Sequence, residues 1–149
     1  MRLIKNVLII GMILVSINAH AQKSKTSMTK EVIVTTFLRG FDEPSKISES
    51  LDLLANNYHF TSPTDQNNSK AEFIEATKEL AQILTGLKIN KIAVSGDWVV
   101  VNYTFKSSIK GLESSVGNEW FRIENGQIQE SHLVYDASEW RKFFDTLRK

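Results

Sequence analysis

Cysteine is missing from the 149 residues of the chain. That one absence excludes a disulfide framework, thiolate metal sites, cysteine nucleophiles and a cysteine-linked lipid anchor. Proline occurs only twice, at Pro44 and Pro63, so long stretches are free to form regular helix and strand. Neither sign of charge dominates. The 18 basic residues face 17 acidic ones, a balance that points to neither nucleic acid nor an anionic membrane surface. Long hydrophobic runs are lacking too: the longest, residues 7–17, falls well short of the roughly 20 apolar residues a spanning helix needs.

What is present begins with Arg2 and Lys5 ahead of that apolar run, followed by Ala19-His20-Ala21. A basic start, a short apolar stretch and a small-x-small site make a secretory signal peptide over residues 1–21, with cleavage expected after Ala21. The expected product is an exported bacterial protein, periplasmic or secreted, with no membrane span in the mature chain. With Arg2 and Lys5 removed from the 18 basic residues, 16 face 17 acidic ones. Residues 22–29 are polar and read as a flexible tether. Residues 30–149 are enough for one ordinary hydrophobic core.

Within that domain the hydrophobic period changes once. Val32, Ile33, Phe37 and Phe41 lie near helical spacing, which predicts a first helix over 30–39 capped by Gly40. A second helix opens at Asp42-Glu43-Pro44, with Ile47, Leu51, Leu54 and Ala55 on one face, and Asn56-Asn57 ends it. Residues 58–62 read as a short strand stopped by Pro63. Ser69-Lys70-Ala71-Glu72 is a capping box, and the helix it starts is expected to run to about Leu84, with Gly86 closing it. From Lys88 the period is two, giving strands over 88–95 and 98–108 around the Gly96-Asp97 turn. The longer strand puts Val99, Val101, Tyr103 and Phe105 on one face. Asn125-Gly126 between two β-favouring runs signals a hairpin over 118–136. Asp136-Ala137-Ser138-Glu139 is a second capping box, opening a last short helix with Trp140, Phe143, Phe144 and Leu147. Helices first and strands afterwards imply an α+β fold with the helices on one face of the sheet.

This order resembles the nuclear transport factor 2-like superfamily, most closely its SnoaL-like branch. The likeness is carried by residues 58–63 (YHFTSP), the Gly96-Asp97 turn and residues 121–128 (FRIENGQI) leading to Val134-Tyr135-Asp136. It implies a cone: a strongly bent, mostly antiparallel sheet wrapped around three N-terminal helices, with a short C-terminal helix. The superfamily holds isomerases, cyclases, epoxide hydrolases, transport factors and binding proteins, so the fold alone does not choose among them.

The hairpin register decides which side chains enter the cone. If Asn125-Gly126 is a bare two-residue turn with regular pairing, Glu119 lies opposite His132. If Glu124-Asn125-Gly126 is a three-residue loop with Gly126 in a bulge, Ile123 pairs with Gln127. Glu119, Phe121 and Ile123 then share a face with Ser131, Leu133 and Tyr135, while Trp120, Arg122, Ile128, Glu130, His132 and Val134 form the other. The resemblance favours the second. A one-residue slip inverts every side chain.

Glu119 is the candidate for chemistry. In the resemblance it falls where ketosteroid isomerases keep a protonated carboxylic acid, and burial in an apolar cone raises a carboxyl pKa. The plainer reading is a rim glutamate paired with Lys or Arg. The rest of the isomerase set is missing: Ser62 stands near the position of the general base, and Thr36 or Phe37 near that of the tyrosine. The hydrolase and cyclase aspartate is replaced by Leu133. Tyr58 matches the epoxide hydrolase tyrosine, but Phe60 replaces its asparagine partner. His59 and His132 are the only histidines after the signal, on separate strands, and make no zinc site. Asp136 is read as a helix cap. Asn67 and Asn102 match the glycosylation pattern but are discounted in a bacterial protein.

The expected pocket comprises Tyr58, Phe60, Ser62, Phe73, Tyr103, Phe105, Glu119, Phe121, Ser131, Leu133 and Tyr135. An apolar cavity with a few convergent polar groups suits a small, largely apolar molecule. The first reading is therefore a binding domain with no catalytic residues, cofactor or metal. The second is a proton-transfer or addition-elimination enzyme using Glu119. The third is an interaction module, and Trp120, Ile128 and Val134 are expected to form the face of a homodimer.

Overall fold

The computed structural model describes residues 28–147. The expected signal peptide and most of the expected tether lie outside the described residues.

Ten elements follow in order: α1 (Lys30–Asp42), α2 (Ile47–Leu51), β1 (Leu54–Thr61), β2 (Gln66–Asn67), α3 (Lys70–Leu80), β3 (Leu84–Ser95), β4 (Trp98–Ser107), β5 (Ser114–Glu124), β6 (Gln127–Tyr135) and α4 (Ser138–Leu147). A 3₁₀ turn over Pro44–Lys46 precedes α2. The six strands form one sheet in the order β2-β1-β6-β5-β4-β3. Only β1 and β6 run parallel; the other neighbours are antiparallel. This is the expected α+β architecture, a mostly antiparallel bent sheet closed over its helices.

Helix α1 starts where the Thr29 side chain accepts a hydrogen bond from the Val32 backbone N–H, filling one of the orphan donors of a helix N-terminus. Its buried stripe is Ile33, Val34, Phe37 and Leu38. Val32, placed on that stripe by the sequence reading, is 44% exposed. Phe37, Tyr58 and Phe121 are the largest fully buried side chains, and each contributes roughly 2 kcal/mol by leaving water.

Three local expectations fail for identifiable reasons. Gly40 is not a C-cap: α1 continues through it to Asp42. A Cβ there would lie 2.4 Å from the Ser50 Oγ, so glycine is needed for the close crossing of α1 and α2. Ser50 is itself fully buried, donating to the Thr36 and Lys46 carbonyls. The second helix stops at Leu51, and Leu54, Ala55, Asn56 and Asn57 all belong to β1; Asn56 and Asn57 sit in an irregularity between the Leu54–Ile128 and His59–Glu130 pairs, so the pairing of their flanks with β6 carries the strand through them. Finally, α3 ends at Leu80 and β3 begins at Leu84. Gly86 therefore lies inside a strand, where the Asp42 carboxylate accepts from the adjacent Leu87 N–H at 3.2 Å. The two-residue strand β2 has no counterpart in the sequence reading.

The hairpin is resolved in a third way. Asn125 (φ 52°) and Gly126 (φ 76°) make a bare two-residue turn, flanked by the pair Glu124 and Gln127. Both central residues at positive φ match a type I′ turn. The register then slips by one: Ile123 pairs with Ile128, but Arg122 pairs with Glu130. Gln129 is the extra residue, so the bulge sits in β6 rather than in the loop. Beyond it Glu119 lies opposite Leu133, and Phe121 opposite Ser131. The faces of those residues come out as the bulged reading has them. Ile128 does not. It precedes the bulge, keeps the parity of Ile123 and is fully buried in the core. The expected Trp120, Ile128 and Val134 surface thus loses its central member, leaving Trp120 at 48% and Val134 at 58% exposure.

Gly40→Ala is expected to destabilise the domain by about 2 kcal/mol, because the added methyl overlaps a buried side chain with nowhere to move. Denaturant unfolding monitored by tryptophan fluorescence checks this; an unchanged midpoint contradicts the crossing described.

Candidate functional site

The sheet registers bring two hydroxyls to one carboxyl and a third behind them. Glu119 pairs with Val101 on β4 and with Leu133 on β6. Residues two positions from a cross-strand partner share its face and sit diagonally within reach of long side chains. Tyr103 and Ser131 hold those diagonal positions. The Tyr103 hydroxyl donates to Glu119 Oε2 at 2.7 Å, and the Ser131 hydroxyl donates to Oε1 at 2.6 Å. Tyr58 reaches the group from the parallel strand, since β1 pairs Phe60 with Ser131. Its hydroxyl lies 2.6 Å from the Ser131 Oγ. With Glu119 ionised, the serine proton is committed to the carboxylate and Tyr58 is the donor of that bond.

Glu119 is 4% exposed, and no cation pairs with it among the described residues. Burial therefore dominates and pushes its pKa from the ordinary 4.5 up to about 7, while the Ser131 and Tyr103 hydrogen bonds pull it back. Both tyrosines rise well above their ordinary value, chiefly by burial and next by the neighbouring Glu119 charge. The paired-rim reading of Glu119 does not describe this geometry.

Glu119 and Tyr103 also face a cavity of about 750 Å³ between the concave face of the sheet, α3 and α4. Of the expected pocket residues, Phe60, Ser62, Phe73, Tyr103, Phe105, Glu119, Leu133 and Tyr135 line it. Tyr58, Phe121 and Ser131 do not; they are completely buried behind its wall. Ser62 spends its hydroxyl on the turn after β1, accepting from the Asp65 N–H at 2.9 Å. Tyr135 is half-buried, shares a 2.8 Å hydrogen bond with Thr64 and has its pKa raised, mainly by burial.

Several lining residues escaped the sequence reading. Trp140, Phe143 and Phe144 bring α4 across the cavity, with the Trp140 indole N–H donating to Ser115 at 2.9 Å and Arg141 donating to the Pro63 carbonyl at 3.1 Å. Their helical spacing marked an apolar stripe, but not what the stripe covers. Phe37 and Leu38 of α1 and Asn67 of β2 also line it. Asn67 carried only a discounted glycosylation match, and nothing in the sequence placed it at a cavity.

The opposite face of the sheet is polar in a different way. His132 points outward there, 2.6 Å from the Thr61 hydroxyl and stacked on Trp98. Arg122 pairs with Glu130 at 2.8 Å and Glu124 at 3.0 Å. Asp136 accepts from the Ser138 N–H at 3.0 Å, and this, with the Ser138 hydroxyl, holds its pKa below the usual range. No cluster of three potential metal ligands exists among the described residues, and no helix among them is long and apolar enough to cross a membrane.

Solved structures share this architecture. An NTF2-like protein of unknown function from Cytophaga hutchinsonii superposes with a TM-score of 0.65 at 16% identity, over 80% of this chain and 98% of that one. A protein with a ketosteroid isomerase-like fold from Catenulispora acidiphila, solved with trimethylamine, gives a TM-score of 0.62 at 17% identity over 74% and 89% of the two chains. The chain has the nuclear transport factor 2-like fold. A de novo designed protein with a curved β-sheet is as similar, with a TM-score of 0.63 at 17% identity over 80% and 96% of the two chains. At these identities the likeness is one of fold. No protein-family model and no curated protein matches the sequence.

The pKa of Glu119 sets a sign for stability against pH. Its folded value, about 7, lies above the ordinary 4.5, so the folded state holds the proton more tightly than the unfolded state does. No penalty exists below the unfolded value. Stability falls as pH rises between the two values and levels off above the folded one, by about 3 kcal/mol in all. Wild type is therefore expected to lose several degrees of Tm from about pH 5 to about pH 8 relative to Glu119→Gln. Parallel profiles for the two proteins contradict a buried, proton-retaining Glu119.

Proposed function

We propose that the mature chain is an exported, SnoaL-like binding domain that holds a small, largely apolar molecule in the cavity and does no chemistry on it. The observation that carries this reading is the cavity itself. Its volume of about 750 Å³ falls within the range of small-molecule sites, and aromatic and aliphatic side chains make most of its wall. Both oxygens of Glu119 already accept hydrogen bonds from the protein. Tyr103 is the one titratable group on the wall hydrogen-bonded to Glu119 among the described residues, and burial holds its pKa well above the ordinary value, so no second group that titrates near neutral pH stands beside the carboxyl.

A second reading rests on one feature, the Glu119 pKa near 7. A carboxyl that titrates near neutral pH is poised for proton transfer, and Tyr103 is within hydrogen-bond reach to assist. On this reading the occupant is a substrate whose acidic C–H or leaving group approaches Glu119. Glu119→Gln then abolishes its conversion. On the binding reading the same substitution leaves the occupant bound and chemically unchanged.

Native mass spectrometry of the protein purified from its own host tests the proposal. The expected spectrum shows a chain starting at Gln22 with a non-covalent small molecule, and Leu133→Trp, which pushes a bulky ring into the cavity beside Glu119, weakens that adduct. An unprocessed chain removes export from the proposal. An apo mass, with no thermal shift against a panel of apolar metabolites, removes the binding function.

A further inference from the structure

A buried carboxyl is ordinarily matched by a cation or kept neutral. Glu119 is 4% exposed, and no cation pairs with it among the described residues. Its hydrogen bonds nevertheless suit the ionised form. Tyr103 donates to one oxygen and Ser131 to the other, whereas a neutral acid must itself donate from one of them. The protein thus supplies the donors a carboxylate needs, but not its counter-ion.

The cavity is the side from which a counter-ion can come. Glu119 lines it together with the exposed Asp65 and Glu79, and no Lys, Arg or His lines it among the described residues. Arg141 acts on the Tyr135 hydroxyl, but it lies in a separate outer groove and donates to the Pro63 carbonyl. Aromatic rings cover the wall next to the carboxyl. Gly117, two residues from Glu119 on the same strand, pairs with Tyr103 on one side and Tyr135 on the other. From Tyr135 the rings continue through Phe105 and Trp140 to Phe144, at centroid spacings of 5.6, 5.8 and 5.9 Å. Ring faces are electron-rich and attract a cation, most strongly where water is excluded.

Given that the cavity is a ligand site, we infer that its occupant is an organic cation: a largely apolar molecule bearing a tertiary or quaternary ammonium group that serves as the counter-ion of Glu119. A quaternary ammonium donates no hydrogen bond, so it needs no vacant position on the oxygens that Tyr103 and Ser131 already hold. Its charge acts through the apolar interior, where screening is weak, and its methyl groups pack on the rings. A carboxylate ligand meets three acidic side chains and no cation. A neutral ligand gains apolar contact alone.

Isothermal titration calorimetry of the full mature chain with decyltrimethylammonium, 1-decanol and decanoate, each below its micelle-forming concentration, tests this. At pH 8 wild type is expected to bind the ammonium about tenfold more tightly than the alcohol, and decanoate least tightly. The charge of decyltrimethylammonium is fixed, so any change with pH reports on the protein. Glu119 loses its proton as pH rises through about 7, and the ammonium affinity is expected to rise several-fold from pH 5 to pH 8. The two histidines of the described residues, His59 and His132, are exposed and do not line the cavity. In Glu119→Gln the rise with pH is expected to vanish and the tenfold advantage to be lost, while weaker binding through the apolar wall persists. Alcohol or decanoate bound by wild type as tightly as the ammonium overturns the inference and leaves the cavity as a binding site. An ammonium preference that is flat with pH in wild type, or that survives in Glu119→Gln, also overturns it. If none of the three binds, the binding reading fails and takes the inference with it.

Discussion

One buried carboxyl organises the interior of this protein. A carboxylate taken out of water without a cation is expensive, and chains usually avoid the expense by exposure, pairing or protonation. Here the compensation comes from hydroxyls on three different strands. Tyr103 and Ser131 donate directly to Glu119, and Tyr58 donates to Ser131. The bonds moderate the effect of burial without cancelling it, so the group titrates near neutrality. Tyr103 and Ser131 reach Glu119, and Tyr58 reaches Ser131, only because their strands have the right registers. The network thus ties β1, β6, β5 and β4 to one another through their side chains as well as their ladders.

The bulge at Gln129 is what makes that network possible. With the two-residue turn alone, regular pairing would set His132 opposite Glu119 and turn Ser131 outward. The extra residue restores Ser131 to the interior and sends His132 to the outer face, where it meets Thr61. The fold supplies the hollow. The residues that face it decide what it holds.

Much of this was legible in the chain. The alternation in β4 and β5, the Asn125-Gly126 turn and the capping residue of α3 are local signals with local causes. Membership of Glu119, Phe121, Ser131 and Leu133 in one face was also within reach, although the irregularity responsible lay in the strand rather than the loop. That displacement is why Ile128 was assigned to the wrong side: a bulge inverts only the residues beyond it. Gly40 and the segment 54–57 failed differently. A glycine required by a helix crossing looks the same in sequence as a glycine that ends a helix, and Asn56-Asn57 enters a strand because Leu54 and His59 on either side pair with β6. Asn67 drew only a discounted glycosylation match, since its place on the cavity wall depends on β2, a strand too short to show in the sequence.

The central claim is that Glu119 retains its proton close to neutral pH because it is buried among hydroxyls instead of cations. Carbon-13 NMR of the Glu119 side-chain carboxyl, followed across pH in wild type and in Ser131→Ala, tests it directly. The account predicts a midpoint near 7 in wild type and a higher one in the variant, where a bond favouring the ionised form is gone. A wild-type midpoint near the ordinary 4.5, unmoved by the substitution, contradicts it.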